Sequence, residues 1–336
     1  MHMSEIVYST AQLVGHTPLM ELVNYEAVHG ITAHLLAKLE SYNPSGSIKD
    51  RAALQMIREA ERRGDILPGD TIVEQTSGNT GIAIAALAIP MGYQVEIFLE
   101  RGASLERREM LEAFGVKLLT YRDALGIRTD AEREAGWQEP EREATLAEIE
   151  AYCRRQKKPH FFLNQAENRD NPRAHILTTG PELWEQTGGK VDVLVCMAGT
   201  GGTMLGLSTY LREKNPALRV IVAQPAEESR LSGKNPHCQI IDGVLPVEGV
   251  PDGDIADFVR DGHYDEAVDI SAAEAFATAR ELAGTEGLLI GTSSAAALLA
   301  ARRVCERGGF EDQNVVVIMP DNGMKYLSTP CFHRTE

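Results

Sequence analysis

The chain has 336 residues, 43% hydrophobic and 24% charged, enough to bury a sizeable core and to form two lobes. A net charge of −16 argues against nucleic acid or an anionic membrane surface as partner. Five scattered cysteines without C-x-x-C spacing argue against a disulfide framework or structural zinc site and fit a reducing, cytoplasmic compartment. The longest apolar run, 82–91, is too short to span a bilayer and contains Pro90, and the start lacks the charged and apolar regions of a secretory leader.

In chain order, residues 35–40 read as a short buried strand and 50–63 as a helix, with Ala53, Leu54, Ile57 and Ala60 on one stripe and Gly64 as its stop. Between them Asn43-Pro44-Ser45-Gly46 is turn chemistry, which puts Lys49 where a loop enters a helix. The positive end of a helix disfavours an ammonium, and an amine that must attack a carbonyl needs its pKa lowered from about 10.4. Taken alone, the position fits a solvated surface lysine equally well. From Thr71 the pattern alternates: strand 71–74, polar loop 75–80, helix 81–91, strand 94–99, helix 105–114, strand 116–119. Such alternation implies right-handed βαβ units and a parallel sheet. Residues 121–148, rich in Arg, Glu and Asp, read as an exposed excursion that turns helical over 144–155. The alternation resumes with strand 161–163, helix 172–186, buried strand 191–196, helix 203–214 and strand 219–223. Residues 225–265 are loop-rich, and helices near 272–283 and 293–307 precede a last buried strand, 315–319. Breaks near Gly46 and Arg154 divide the chain into a smaller, mobile lobe, 46–154, and a larger lobe, 1–45 with 155–336.

Ligands of parallel α/β sheets bind in the loops leaving the carboxyl ends of strands. Gly199-Thr200-Gly201-Gly202-Thr203 is such a loop, with glycines for close approach and a helix start for an anion. It has no Gly-Lys-Ser/Thr, and Met204 stands where the last glycine of a dinucleotide fingerprint would fall, so a phosphate monoester is the best guest. Thr76-Ser77-Gly78-Asn79-Thr80 suits a carboxylate by the same argument, although Ser77 or Asn79 reads equally well as an ordinary helix cap. In Gly291-Thr292-Ser293-Ser294, Ser293 is either a cap or a neutral partner for a ring nitrogen. A lysine at a helix start, a phosphate cradle and a carboxylate loop are together the parts a pyridoxal-phosphate enzyme acting on an amino acid requires.

On these motifs the sequence resembles the cysteine synthase family, fold-type-II pyridoxal-phosphate enzymes that include cystathionine β-synthase. The resemblance runs from Val14-Gly15-His16-Thr17-Pro18-Leu19 to Lys325-Tyr326-Leu327-Ser328-Thr329-Pro330. It implies an α/β fold of two lobes, each a mostly parallel twisted sheet flanked by helices, assembled as a homodimer. It implies pyridoxal 5'-phosphate bound covalently to Lys49, Gly199, Thr200, Gly201, Gly202 and Thr203 on its phosphate, Ser293 at the pyridine nitrogen and Asn79 near the ring hydroxyl. Thr76, Ser77, Asn79, Thr80 and Gln165 then take the substrate carboxylate, and no metal is expected. A neutral Ser293 leaves the ring a weaker electron sink, which favours β-elimination and β-replacement through an aminoacrylate over transamination. The expected reaction is O-acetylserine plus sulfide to cysteine and acetate; the alternative is chemistry on cysteine or serine, including cysteine desulfhydration and cystathionine or lanthionine formation. Departures from the pattern are Gln75 for a proline, Ala295 for a glycine, and Asp242-Gly243-Val244-Leu245-Pro246 in a segment that is usually richer in glycine. Asp242 at the pocket edge is either a solvated turn residue or a carboxylate that orients or deprotonates the nucleophile.

Overall fold

Ten strands form two sheets in the computed structural model, which describes residues 6–125, 143–231 and 237–333. The larger sheet holds β1 (Leu19–Glu21), β2 (His34–Leu39), β7 (Val193–Met197), β8 (Arg219–Pro225), β9 (Glu266–Ile270) and β10 (Asn314–Met319), in the order β1-β2-β10-β7-β8-β9. All its neighbours are parallel except β1 against β2. The smaller sheet is wholly parallel and holds β3 (Thr71–Thr76), β4 (Gln94–Leu99), β5 (Lys117–Leu119) and β6 (His160–Phe162), in the order β5-β4-β3-β6. The two mostly parallel, helix-flanked sheets agree with the fold class expected from the sequence. β7 is buried at every residue and β10 at all but its first, as continuous apolar runs require when helices cover both faces.

Several boundaries differ from the sequence-based expectation. β6 lies at 160–162 and pairs with β3, so the chain leaves the smaller sheet after 162 and not near 154. The helix beyond β3 begins at Asn79, two residues before the expected start at 81, and its cap is Gly78 at φ 140°, a conformation that suits glycine. Ser77 and Asn79 are therefore not its caps. The segment expected as one helix over 172–186 has a π turn, His175–Thr179, between helices Asp170–Ala174 and Gly180–Gln186. Strands β1 and β9 and helix Val23–His29 were not anticipated; β1 has three residues, too few to display a period. Most of the expected excursion, 126–142, lies outside the described residues. Its flanks are helices Tyr121–Leu125 and Leu146–Arg155, the latter opened by a capping box of Thr145 and Glu148. No helix of the described residues is long and apolar enough to cross a membrane.

A buried ionic network joins the parts. Arg51, in helix Lys49–Arg63, donates to Glu40 at 2.7 Å and to both carboxylate oxygens of Glu182 at 2.7 Å. Lys38 of β2 reaches Glu182 at 3.0 Å, and Thr17 donates to Glu40 at 2.8 Å. The network fixes the helix that begins at Lys49 against the larger sheet.

Candidate active site

The strand ends of both sheets open onto one cavity. Lys49, the 76–80 loop, Gln165, the 199–203 turn, Asp242 and Ser293 all contribute to its wall. Three lysines of this region are wholly or partly buried, and only one has a free amine. Lys38 Nζ donates to the Thr17 carbonyl, Glu182 and Gln186, and Lys325 Nζ donates to the Ser45 carbonyl and Asn79. Lys49 Nζ has no hydrogen-bond or ion-pair partner among the described residues. Burial lowers its pKa, with Glu74 and Asp321 acting the other way. Burial raises the pKa of Glu74 itself to about 8, with hydrogen bonds from the Gln75 and Gln165 amides and the charge of Lys49 acting the other way. A desolvated, unpaired amine facing a cavity is prepared to attack a carbonyl.

The glycine turn joins β7 to helix Gly202–Lys214. Gly201 caps that helix at φ 85°, and side chains are excluded on every side. A Cβ at Gly199 would fall 2.6 Å from the Gly243 carbonyl oxygen, one at Gly201 2.8 Å from the Val259 nitrogen, and one at Gly202 would strike the Asn171 carboxamide. The turn is shaped so that backbone N–H groups meet an anion directly, at the positive end of a 13-residue helix. Asn171 donates to Thr200 Oγ1 at 3.1 Å, and Thr203 Oγ1 lies 3.2 Å from His175 Nε2. Burial, with the charges of Arg51 and Lys49, lowers the His175 pKa to about 3, so it supports Thr203 as a neutral ring. Asn171 and His175 were missed by the sequence reading. The only signal was their place in a segment of otherwise unremarkable helical pattern, and the π turn that opens at His175 is of a kind common at functional sites.

In the second loop, Thr76 Oγ1 accepts from the Gly78 amide at 2.9 Å, and Thr80 donates to Gln165 Oε1 at 2.6 Å. Gln165 Nε2 donates to the Gln75 carbonyl at 3.1 Å. The loop and Gln165, 85 residues apart in sequence, thus form one hydrogen-bonded rim. Asn79 faces the same cavity, its Nδ2 donating to Asp321 at 2.7 Å. Ser293 is the second residue of helix Thr292–Cys305, whose cap is Gly291, so it is not a cap. Ser293 lines the cavity, and its hydroxyl has no hydrogen-bond partner among the described residues.

Asp242 is neither a solvated turn residue nor a free carboxylate. It forms an ion pair with Arg107, a fully buried side chain that also packs under Gly78, where a Cβ would lie 2.6 Å from Arg107 Cδ. Arg107 stacks 5.1 Å from the Tyr326 ring centroid. The Arg107 side chain therefore links Asp242 to the floor of the 76–80 loop, a connection invisible to local spacing. Among the described residues there is no cluster of His, Cys, Asp or Glu that could hold a metal ion.

Comparison with known proteins places this geometry in context. The family described as pyridoxal-phosphate dependent enzyme matches residues 10–321. Cysteine synthase B of Escherichia coli (strain K12) is 39% identical over 321 residues, covering 96% of this chain and 95% of that protein. The structure of O-acetylserine sulfhydrylase isoform 3 from Entamoeba histolytica superposes with a TM-score of 0.79 at 32% identity, covering 100% of this chain and 94% of that one. That of the O-acetylserine-dependent cystathionine β-synthase from Helicobacter pylori gives 0.81 at 30% identity, covering 98% and 100%.

Proposed function

The chain belongs to the pyridoxal-phosphate-dependent enzyme family, and from that membership we propose that it is a cysteine synthase, converting O-acetylserine and sulfide to L-cysteine and acetate. The observation that carries the reading is the unpaired amine of Lys49 in a cavity that also holds a turn whose three glycines admit no side chain. The residues fit the cofactor. The turn from Gly199 to Thr203 accommodates a phosphate, Lys49 is placed for its aldehyde, and the unpartnered Ser293 hydroxyl is available to its ring nitrogen. Bound there, pyridoxal phosphate supplies an electron sink for the bonds breaking at the substrate's Cα and Cβ.

The protein's own residues do the rest. Lys49 Nζ, a desolvated amine lining the cavity, would take the Cα proton. The Ser77 hydroxyl, the amides at the start of helix Asn79–Ala88, and Gln165 hold the substrate carboxylate, with Thr76 and Thr80 shaping the rim. Ser293, being neutral, would not hold a ring nitrogen protonated as a carboxylate would, which favours loss of the β-substituent over transamination. Asp242 acts by orientation, because its carboxylate is committed to Arg107. Asp242→Asn is accordingly expected to leave kcat within about threefold. Arg107→Met, which leaves the loop floor unsupported and a carboxylate unpaired, is expected to raise KM for the amino acid about tenfold or more. Steady-state kinetics of the two variants check this, and a collapse of kcat in Asp242→Asn would assign that carboxylate the proton transfer instead.

The test of the function is a panel of β-substituted alanines crossed with sulfide, cysteine, homocysteine and water. Cysteine from O-acetylserine and sulfide should be the fastest product. Faster thioether formation with homocysteine would move the assignment to the activity named for the Helicobacter pylori neighbour. We also propose a homodimer, measurable by sedimentation, and closure of the smaller lobe, which carries β3 to β6, on the substrate carboxylate. Closure predicts that a bound amino acid protects residues 76–80 from protease, and equal cleavage with and without ligand would contradict it.

A further inference from the structure

The Asn79 carboxamide is held from both ends. Its Oδ1 accepts from Lys325 Nζ at 2.9 Å, and its Nδ2 donates to Asp321 Oδ2 at 2.7 Å. Tyr326 donates to the same carboxylate oxygen at 2.7 Å. A reversed amide would turn its NH2 towards an ammonium and its oxygen towards a carboxylate, two repulsive contacts, so only one orientation is stable. That orientation leaves the second Nδ2 proton as a donor on a side chain that borders the cavity. Lys325 also donates to the Ser45 carbonyl at 3.0 Å, in the turn that leads to Lys49. One ammonium, buried to 3% exposure in the turn Gly323–Tyr326, thus links the segments that carry Asn79 and Lys49.

We propose that Lys325 is a positioning residue that sets the orientation of the Asn79 carboxamide towards the cofactor, touching neither substrate nor cofactor itself. This rests on the pyridoxal-phosphate reading of the cavity. Burial lowers the Lys325 pKa; the carboxyl groups of Asp321 and Asp50 act the other way, and Arg107 adds to the lowering.

The test is a double-mutant cycle of Lys325→Met and Asn79→Ala, read as the dissociation constant and absorption maximum of bound pyridoxal phosphate, alongside kcat and KM. Lys325→Met is expected to weaken cofactor binding about tenfold and to move the absorption band, and in the Asn79→Ala background the same change should have less than a twofold effect. Equal losses in the two backgrounds would show that Lys325 serves stability only and would overturn the proposal. Lys325→Gln, a neutral donor, runs the same cycle should the Met variant fail to fold: a loss confined to the Asn79 background supports the proposal and an equal loss in both overturns it. Borohydride labelling of Lys49 in the unaltered protein separates the two readings. A labelled Lys49 with an additive cycle defeats the Lys325 proposal alone, whereas an unlabelled Lys49 defeats the reading of the cavity.

Discussion

Lys49→Ala protein is expected to turn over O-acetylserine at least about 1,000-fold more slowly than the unaltered protein, because one side chain supplies both the covalent anchor and the proton acceptor. The visible absorption of the bound cofactor should shift to that of a non-covalent complex, and borohydride followed by digestion should leave no labelled peptide. The prediction is sharp because the competing amines are accounted for. Lys38 is committed to three acceptors and Lys325 to two, so neither can replace Lys49 without breaking buried hydrogen bonds. The anion turn should survive the change, since its shape depends on Asn171, Gly243 and Val259 and not on the lysine. Retained phosphate affinity with lost turnover is therefore the expected combination. Turnover at the original rate would remove Lys49 from the chemistry.

Arg51→Met is expected to destabilise the protein by about 3–5 kcal/mol, the usual effect of removing one partner from a buried ionic group. Arg51 is wholly buried and serves Glu40 and Glu182 together, and its loss leaves two carboxylates facing each other without their main cation. Urea unfolding of the cofactor-free protein measures the effect. Adding Glu40→Gln and Glu182→Gln to Arg51→Met should recover part of the loss, and equal stability of the single variant and the unaltered protein would contradict the account. The network also sets an acid limit. Burial pushes the Glu182 carboxyl up, but the hydrogen bonds and charge of Arg51, with Lys38, overcome it and hold the pKa at about 2 against an ordinary 4.5. The carboxylate binds a proton more weakly folded than unfolded, so its contribution is fully present above pH 4.5 and is lost as the pH falls from there towards 2.

The alternation of strands and helices was readable because buried parallel strands are continuous apolar runs, and β4, β7 and β10 were placed within two residues at either end. The glycine turn was equally plain, since few pressures other than close approach gather three glycines between a strand and a helix. What escaped was everything that depends on distant partners. Position 78 admits no side chain because Arg107 fills the space below it, and nothing near residue 78 in sequence reports that. Asn171, His175 and Lys325 act across separations of 28 to 246 residues. Asp242 was legible as an oddity but not as half of an ion pair, because its partner lies 135 residues away on a helix whose pattern marks only its apolar stripe. Hydrophobic period records which face is covered and says nothing of which charges meet beneath it.

The position of β10 between β2 and β7 has a consequence for biosynthesis. A nascent chain releases the four strands of the smaller sheet, all before residue 163, while the middle of the larger one has yet to be translated. The strand that closes the larger sheet is made after every other described strand, so β2 and β7 must wait with unpaired edges facing each other across a gap one strand wide. Messages truncated before codon 314 should therefore yield not a slightly shortened protein but one split down its centre, and a ready client for chaperones.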